Sequence, residues 1–338
     1  MVGITELDTK ISALTSTEIL ENAYAPIRKD LEEVGDTLKT LTKSHSPFLL
    51  KLLGHALDTT GKRVRPAITL LSSRFNTNEG HTPKTMASAV ELLHIATLIH
   101  DDTVDNSSLR RGQETISSMW GKNAAVLIGD FIFATSATFV CDTGNIKVVR
   151  RFAETIMELS SGELSEMSRS YDTTLTRNEY FERIYEKTAS LFTTASESGA
   201  ILSGAPDNII NALHDYGYNL GMAFQITDDI LDFEGTSEET GKPVGRDLAQ
   251  GILTLPTILA LERNSPNNPI AQFCARPEDQ NNLVEAISVI QTPEIIESSY
   301  QVADDYSRNA LDALKDLPQT PERDSLETLV SYLVKRRV

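Results

Sequence analysis

The 338 residues are 40% hydrophobic and 23% charged with a formal net charge of −17, and this acidity argues against nucleic acid as a partner, because nucleic-acid-binding proteins need clustered lysine and arginine. The only cysteines, Cys141 and Cys274, are too few for a disulfide framework and fit a reducing compartment. The sequence has no run of about 18 apolar residues, so no transmembrane helix is predicted. It also has no apolar N-terminal segment that would predict a signal peptide, and a cytoplasmic protein is expected.

Apolar residues recur at three- and four-residue intervals along most of the chain, which predicts helices. The clearest helical segments are residues 17–41, 85–99, 124–139 and 178–200. Thr176 and Glu179 have the spacing of a capping box, which predicts a helix start just before the last of these segments. No tight turn flanked by alternating residues predicts a hairpin. We therefore predict an all-α protein in which residues 1–338 form a single-domain bundle of about ten or more helices around a central cavity.

The first polar cluster in chain order is Gly61-Lys62-Arg63-Val64-Arg65-Pro66, with three cations in four positions. Further on, the apolar run 94–99 leads into Asp101-Asp102-Thr103-Val104-Asp105. The first and fifth residues of this DDxxD pattern lie one turn apart on the same helix face, where like charges repel. Arg110-Arg111 follows closely. The segment therefore combines paired carboxylates with candidate anion ligands, since arginine can bind phosphate through two parallel hydrogen bonds.

The second half of the chain repeats the acidic pattern. Lys187-Thr188 lies among apolar residues, and a lysine in such surroundings requires an anion. The run 222–226 then leads into Asp228-Asp229-Ile230-Leu231-Asp232, and the polar segment 234–251, which includes Lys242, is long enough to be a lid. A solvated helix face is the commoner explanation of an acidic run. The duplication and the apolar flanks instead favour sites for a hard cation such as Mg²⁺ together with phosphate oxygens.

In this order the motifs resemble those of the trans-isoprenyl diphosphate synthases, the polyprenyl synthase family, from about Gly61 to Pro256. The resemblance implies an all-α fold of the isoprenoid synthase type and a long-chain enzyme. Such an enzyme adds isopentenyl diphosphate repeatedly, head to tail (1'-4), to an allylic diphosphate. The expected product is an all-trans polyprenyl diphosphate of about 35 to 50 carbons, with a quinone side chain as its expected use.

The resemblance also implies the roles of individual residues. On the allylic side they are Asp101, Asp105 and Asp228 as ligands of three Mg²⁺ ions, Asp102, Asp229, Asp232 and Asp247 as supporting or water-mediated partners, and Arg110, Lys187 and Lys242 as diphosphate ligands. Thr188 and Gln225 would stabilise the carbocation. Isopentenyl diphosphate would bind to Lys62, Arg65, His94 and Arg111. A lone histidine on an apolar helix is commonly a core residue, but His94 lies two turns before the first motif, where the family has a ligand.

Product length is predicted from the helix that carries the first motif. One helical turn rises about 5.4 Å, comparable to an isoprene unit, so a large side chain four or five residues before Asp101 would stop the growing tail. The residues at those positions, Thr97 and Ala96, are small, which predicts a long passage. Phe139 and Phe152 are candidates for the floor of the passage, or plain core aromatics.

Other functions stay open at this point. A shorter-chain farnesyl or geranylgeranyl diphosphate synthase would share these motifs, although Ile252 stands where farnesyl-type members usually carry lysine. A class I terpene cyclase would have asymmetric metal motifs, and a non-catalytic subunit of a heteromeric synthase should lack some ligands. A homodimer is expected, with residues 124–139 as a candidate interface, and peripheral membrane contact is a candidate route for release of the product. The starter, the exact product length, the pathway and the role of Arg246 are not predicted.

Overall fold

The computed structural model describes residues 15–41, 46–58, 61–76, 82–234, 244–263 and 267–334. Most of these residues are helical, which confirms the predicted all-α class. The helices are, in chain order, α1 (Ser16–Ala23), α2 (Arg28–Thr40), α3 (Pro47–Asp58), α4 (Val64–Ser72), α5 (Thr82–Val104), α6 (Ile116–Trp120), α7 (Lys122–Asp142), α8 (Ile146–Ser168), α9 (Arg177–Ile184), α10 (Ser190–Leu202), α11 (Asp207–Leu231), α12 (Arg246–Ala249), α13 (Leu255–Glu262), α14 (Pro269–Ala275), α15 (Gln280–Ile290), α16 (Pro293–Ala313) and α17 (Pro321–Val334).

Short elements link some of these helices. Residues 25–27 and 73–75 are 3₁₀ turns, and residues 185–189 form a π turn between α9 and α10. After α5, strands β1 (Leu109–Arg110) and β2 (Gln113–Glu114) pair antiparallel. The turn between them has positive φ at Arg111 (51°) and Gly112 (78°), as two-residue hairpins of type I′ require. The prediction of no hairpin was wrong, because two-residue strands are too short to show alternation.

Helix boundaries follow local chemistry. The predicted segment 17–41 divides into α1 and α2 at a 3₁₀ turn that contains Pro26, whose ring nitrogen has no hydrogen to donate. The predicted capping box is confirmed: the Glu179 N–H donates to Thr176 Oγ1 over 3.3 Å, and the Thr176 N–H donates to Glu179 Oε2 over 2.9 Å. The predicted segment 178–200 spans α9, the π turn and most of α10, so a single apolar pattern covers three local geometries.

Two helices carry the acidic motifs through the core. α5 packs against α7, α4 and α10, with Leu92, Leu93 and Ala96 fully buried. α11 packs against α10 and α16. α10 approaches α4 closely because Gly199 has no side chain, and an added Cβ would overlap the Thr69 carbonyl. The C-terminal ends of α5 and α11 consequently border one cavity, with Asp101 and Asp228 both in its wall.

Among the helices that the structure describes, α7 is long and apolar enough to cross a membrane by length and composition, and 33% of that stretch is buried inside the chain. Such a helix was not predicted because polar residues, Asp130 among them, interrupt the apolar run. The exposed side chains of α7 include Val126 and Leu127, which are 43% and 69% exposed. α7 therefore presents an apolar face outside the core of this chain.

Candidate active site

The first acidic motif forms the C-terminal end of α5. The Asp105 N–H donates to the Asp101 carbonyl over 2.8 Å, so the helical turn continues and both side chains leave the same face. Asp102 is buried and accepts hydrogen bonds of 2.8 Å at both oxygens from Nε of Arg110. The β1–β2 hairpin holds Arg110 in place. Asp102 therefore fixes an arginine beside the motif, while Asp101 and Asp105 form the stacked carboxylate pair.

The second acidic motif, at the end of α11, is part of a hydrogen-bonded chain. Asp229, 4% exposed, accepts from the Tyr180 hydroxyl and from Gln225 Nε2, each over 2.7 Å. Gln225 Oε1 in turn accepts from the Thr188 hydroxyl over 2.7 Å. These hydrogen bonds bring together Thr188 and Gln225, the two residues predicted to stabilise the carbocation. Tyr180 was not predicted, because its contact with Asp229 joins α9 to α11, 49 residues apart in the sequence.

Asp232 connects the second motif to the described part of the predicted lid. Its carboxylate accepts from the backbone N–H groups of Arg246 (3.2 Å) and Asp247 (3.0 Å), so it caps α12. Gly245, with a φ of 70°, supplies the left-handed turn at which α12 begins. The hydrogen bond from the Asp247 N–H to Asp232 thereby positions Asp247 beside the second motif. Residues 235–243, and with them Lys242, lie outside the described residues.

Several carboxylates of the site have raised pKa values. Burial, with Glu163 nearby, raises the pKa of Asp101 to about 7. Burial also raises the pKa of Asp229 to about 7. Burial and the carboxylates of Asp232 and Asp229 raise the pKa of Asp247 to about 8. Burial therefore disfavours the ionised forms of these acids, and a bound cation would stabilise those forms.

Lys187 lies in the π turn between α9 and α10. Its Nζ is 3.1 Å from Glu163 and also forms an ion pair with Glu166, both on α8. The π turn approaches α8 closely because residue 162 of α8 is glycine, where an added Cβ would lie 2.7 Å from the Lys187 nitrogen. Burial lowers the pKa of Lys187, but Glu166 and Glu163 more than offset this and raise the pKa above its ordinary value. The anion that the sequence analysis required thus includes two glutamates it did not identify.

Arg65 and His94 form the inner part of a basic pocket. The Arg65 guanidinium stacks 4.3 Å from the Phe192 ring centroid, and its Nη1 lies 3.3 Å from His94 Nε2. Because arginine can only donate, Nε2 of His94 is the acceptor and its ring proton belongs on Nδ1. Burial, with Arg65 nearby, lowers the pKa of His94 well below its ordinary value, so the ring is neutral. Glu91, 3% exposed and one turn before His94, was not predicted; burial raises the pKa of its carboxyl, and the nearby Arg65 opposes that rise.

Lys62 and Arg111 form the outer part of the basic pocket. Nζ of Lys62 lies 4.9 Å from the Tyr332 ring centroid, and the Lys62 carbonyl accepts from the Tyr24 hydroxyl over 2.8 Å. Arg111 reaches the pocket from the hairpin turn and covers Gly61, where an added Cβ would lie 2.5 Å from its Nη1. The four predicted ligands of isopentenyl diphosphate thus line one wall of the cavity.

One cavity of about 620 Å³ joins the basic pocket to the acidic motifs. Its wall contains all four basic-pocket ligands, Asp101, Asp102, Asp228, Arg110, Lys187, Thr188 and Gln225, together with apolar side chains that include Ile95, Leu98, Leu159, Leu191, Phe192 and Phe224. A second cavity, of about 290 Å³, lies on the lid side and contains Asp105, Asp229, Asp247 and Arg246. Charge lines one part of this space and apolar side chains line another, which suits a ligand with a charged head and an apolar tail.

The predicted chain-length residues are not all brought together. Thr97 and Leu98 line the larger cavity, opposite Leu159 of α8. Ala96 is fully buried and outside that lining, because neighbouring helical positions point about 100° apart, and Thr97, unlike Ala96, shares the face of Asp101. Phe139 of α7 and Phe152 of α8 pack in the core and do not line the cavity wall given by the described residues.

The oxygen ligands of the site fit Mg²⁺. Within the described ranges no three histidine, cysteine or acidic side chains converge closely enough to hold an ion by themselves. Mg²⁺ usually keeps several waters and binds through one or two carboxylates plus substrate phosphates. The stacked pair of Asp101 and Asp105 and the facing Asp228 offer that chemistry, and a cation bound there would offset the burial that raises the pKa of Asp101.

Comparison with known proteins gives a consistent result. Residues 46–290 match the family model for polyprenyl synthetase. Heptaprenyl diphosphate synthase component 2 of Geobacillus stearothermophilus is 38% identical over 318 residues, 94% of this chain and 99% of that protein. Solanesyl-diphosphate synthase 2, chloroplastic, of Oryza sativa subsp. japonica is 36% identical over 336 residues, with coverage of 96% and 83%. The crystal structure of a decaprenyl diphosphate synthase from Rhodobacter capsulatus superposes with a TM-score of 0.88 at 33% identity, covering 94% of this chain and 99% of that one.

Proposed function

The chain belongs to the polyprenyl synthetase family and is a prenyltransferase, and from that premise we propose that it makes a long-chain all-trans polyprenyl diphosphate. The reaction is repeated head-to-tail addition of isopentenyl diphosphate to an allylic diphosphate. The carrying observation is the 620 Å³ cavity, where two acidic motifs, a basic pocket and an apolar region meet. Relatives named for heptaprenyl and decaprenyl products support about seven to ten isoprene units, and a quinone side chain is the proposed use.

The allylic diphosphate would lie between the two acidic motifs. Asp101, Asp105 and Asp228 would hold Mg²⁺, for which we propose three ions when the diphosphate is bound. Mg²⁺ supplies Lewis-acid stabilisation of the diphosphate oxygens. The raised pKa of Asp101 supports this assignment, because a cation at that point would stabilise the ionised carboxylate.

Fixed cations would complete the diphosphate site. As the carbon–oxygen bond breaks, negative charge grows on the leaving diphosphate, and preorganised cations stabilise it without reorganising. Arg110 is preorganised by two hydrogen bonds to Asp102. Lys187 remains protonated beside Glu163 and Glu166. Lys242 is proposed as a further ligand from the family resemblance.

The carbocation would form next to Thr188 and Gln225. Their oxygens carry partial negative charge, and the hydrogen bonds from Thr188 through Gln225 to Asp229 keep them in one orientation. Asp229 is itself held by Tyr180. Apolar side chains in the same wall, such as Phe224, exclude water that would otherwise capture the cation.

Isopentenyl diphosphate would bind in the basic pocket of Lys62, Arg65, His94 and Arg111. Arg65 is held by stacking on Phe192, which leaves part of its hydrogen-bonding fork available to phosphate. The carbon–carbon double bond of isopentenyl diphosphate attacks the carbocation to form the new carbon–carbon bond. The proton then lost is accepted by the released diphosphate, so no protein nucleophile is required.

The growing tail would extend past Thr97 toward Leu159. Both line the cavity, on α5 and α8, and neither is aromatic. Ala96, Phe139 and Phe152 lie off this wall, so they would affect length only where the passage continues between the helices. A shorter-chain farnesyl or geranylgeranyl diphosphate synthase is the alternative, and it would require the passage to end at Leu159.

A homodimer is proposed through the outer faces of α7 and α8. Leu127 on α7 and Met157, Leu164 and Met167 on α8 are 60% to 69% exposed, an unusual density of exposed large apolar side chains. The relative named component 2 of a heptaprenyl diphosphate synthase makes a different partner subunit the second candidate for this face. We also propose that residues 1–338 form one domain, that the protein is cytoplasmic, and that the product leaves through peripheral contact with a membrane.

The proposal is tested by incorporation of labelled isopentenyl diphosphate into an organic-extractable product by the purified chain. Incorporation should require both an allylic diphosphate and Mg²⁺, and EDTA should abolish it. The presence of every predicted aspartate and basic ligand argues against a non-catalytic subunit, which would show no incorporation alone. A class I terpene cyclase would instead convert the allylic diphosphate to a hydrocarbon without isopentenyl diphosphate.

A further inference from the structure

The lid-side cavity contains a cation that the proposed mechanism leaves unused. This cavity of about 290 Å³ is lined by both acidic motifs and by the start of α12. Its basic residues are Arg110, Arg111, Arg183, Lys187 and Arg246. Arg246 is the member of this set that comes from the lid, six residues before Ile252, an apolar residue in the same wall. The lid therefore brings one positive charge to the described part of this cavity.

The backbone of Arg246 is fixed in place. Its N–H donates to one oxygen of Asp232 over 3.2 Å, and the next N–H donates to the other oxygen over 3.0 Å. The preceding Gly245 also donates to the Asp232 carbonyl over 2.8 Å. Leu248, one turn into α12, is fully buried. The second acidic motif thus anchors the residue from which the Arg246 guanidinium extends.

Three of the other cations of this wall have partners that the structure identifies. Arg110 binds Asp102, and Lys187 binds Glu163 and Glu166. Arg183, 3% exposed, donates to the Leu253 carbonyl over 2.6 Å. For the Arg246 guanidinium, no carboxylate in the described ranges lies within 4.0 Å. It remains available for an oxyanion ligand.

Arg246 faces the first motif across the cavity. Asp102 and Asp105 of this motif line the same cavity of about 290 Å³ as Arg246. Asp102 is the carboxylate that fixes Arg110. An anion placed between the two arginines would be contacted from two sides, by Arg110 from the hairpin and by Arg246 from the lid.

We propose that Arg246 is an additional ligand of the allylic diphosphate, which joins the lid to the first motif when the diphosphate is bound. The inference rests on the proposed function and deepens it by naming a further binding residue. Arginine suits the task because its planar fork forms two parallel hydrogen bonds to phosphate oxygens. Arg246 contacts the diphosphate, and Asp232 acts only by positioning the backbone of Arg246.

The test is calorimetric binding of inorganic pyrophosphate, in the presence of Mg²⁺, to the full chain and three variants. Arg246→Gln removes the charge and keeps the backbone hydrogen bonds, and it should weaken binding about 10- to 100-fold. Arg246→Lys keeps the charge without the fork and should give an intermediate loss. Arg308→Gln, at an exposed residue of α16 paired with Asp305, matches the change in net charge and should bind as the parent chain does.

Steady-state kinetics give the second readout. Arg246→Gln should raise the KM for the allylic diphosphate more than the KM for isopentenyl diphosphate, because the two diphosphates bind in different pockets. If Arg246→Gln binds pyrophosphate as tightly as the parent chain while the parent incorporates isopentenyl diphosphate, this inference fails and the proposed function stands. If the parent chain neither binds pyrophosphate with Mg²⁺ nor incorporates isopentenyl diphosphate, both are overturned.

Discussion

The Tyr180→Phe substitution removes one hydroxyl and leaves the ring in place. That hydroxyl is fully buried and donates to Asp229 over 2.7 Å. A hydrogen bond to a charged group contributes about 1.5–3 kcal/mol, and its loss leaves a buried carboxylate oxygen without a donor. The free energy of unfolding should fall by about that amount. If the substitution also lowers the stabilisation of the transition state by Gln225 by about 1.4 kcal/mol, kcat falls about tenfold.

Tyr216→Phe is the matched control. Tyr216 is also fully buried, but its hydroxyl donates over 3.0 Å to the backbone carbonyl of Leu326, a neutral acceptor that does not line either cavity of the site. This variant should lose about 0.5–1.5 kcal/mol of stability and keep its kcat. Urea unfolding and single-turnover rates at saturating substrates measure both effects. Equal kcat values for the two variants would refute the claim that Tyr180 orients Gln225 through Asp229.

Three further predictions concern the metal site, the passage and the outer face. In metal-free protein the free energy of unfolding should fall as pH rises from about 4 to 7, because the folded pKa of Asp101, about 7, exceeds that of an unfolded aspartate. Urea titrations measure this trend, and Mg²⁺ with pyrophosphate should reverse it. A free energy of unfolding that rises with pH in the absence of metal would contradict the prediction. Thr97→Phe should shorten the product, as measured by mass spectrometry. Ala96→Phe should leave the product length unchanged and lower the free energy of unfolding by about 1–3 kcal/mol through overpacking. The opposite pattern would exclude the passage past Thr97. Leu164→Glu should give monomers by light scattering while the equally exposed Val284→Glu should not, and a persistent Leu164→Glu dimer would place the interface elsewhere.

Much of the fold and the site could be predicted where the information is local. The 3.6-residue period predicts the helices, and the Thr176–Glu179 spacing predicts a helix start that the structure confirms. The DDxxD spacing likewise predicts that Asp101 and Asp105 share a helix face, because one helical turn separates them.

Contacts between distant segments could not be predicted. Lys187 is preceded in the sequence by Glu186, but its ion-pair partners Glu163 and Glu166 come from α8. Tyr180 was missed for the same reason, since its hydroxyl reaches α11. The facing of Ala96 also depends on packing, because the motif spacing fixes which face carries Asp101 but not where that face points.

The most direct test of the central claim is the length of the product. Purified protein is incubated with Mg²⁺, farnesyl diphosphate and labelled isopentenyl diphosphate, and the products are sized after dephosphorylation. The account predicts a ladder that ends at about seven to ten isoprene units, as the names of the relatives suggest. A product that stops at three or four units would contradict the long passage, and the absence of any incorporation by folded protein would contradict the synthase itself.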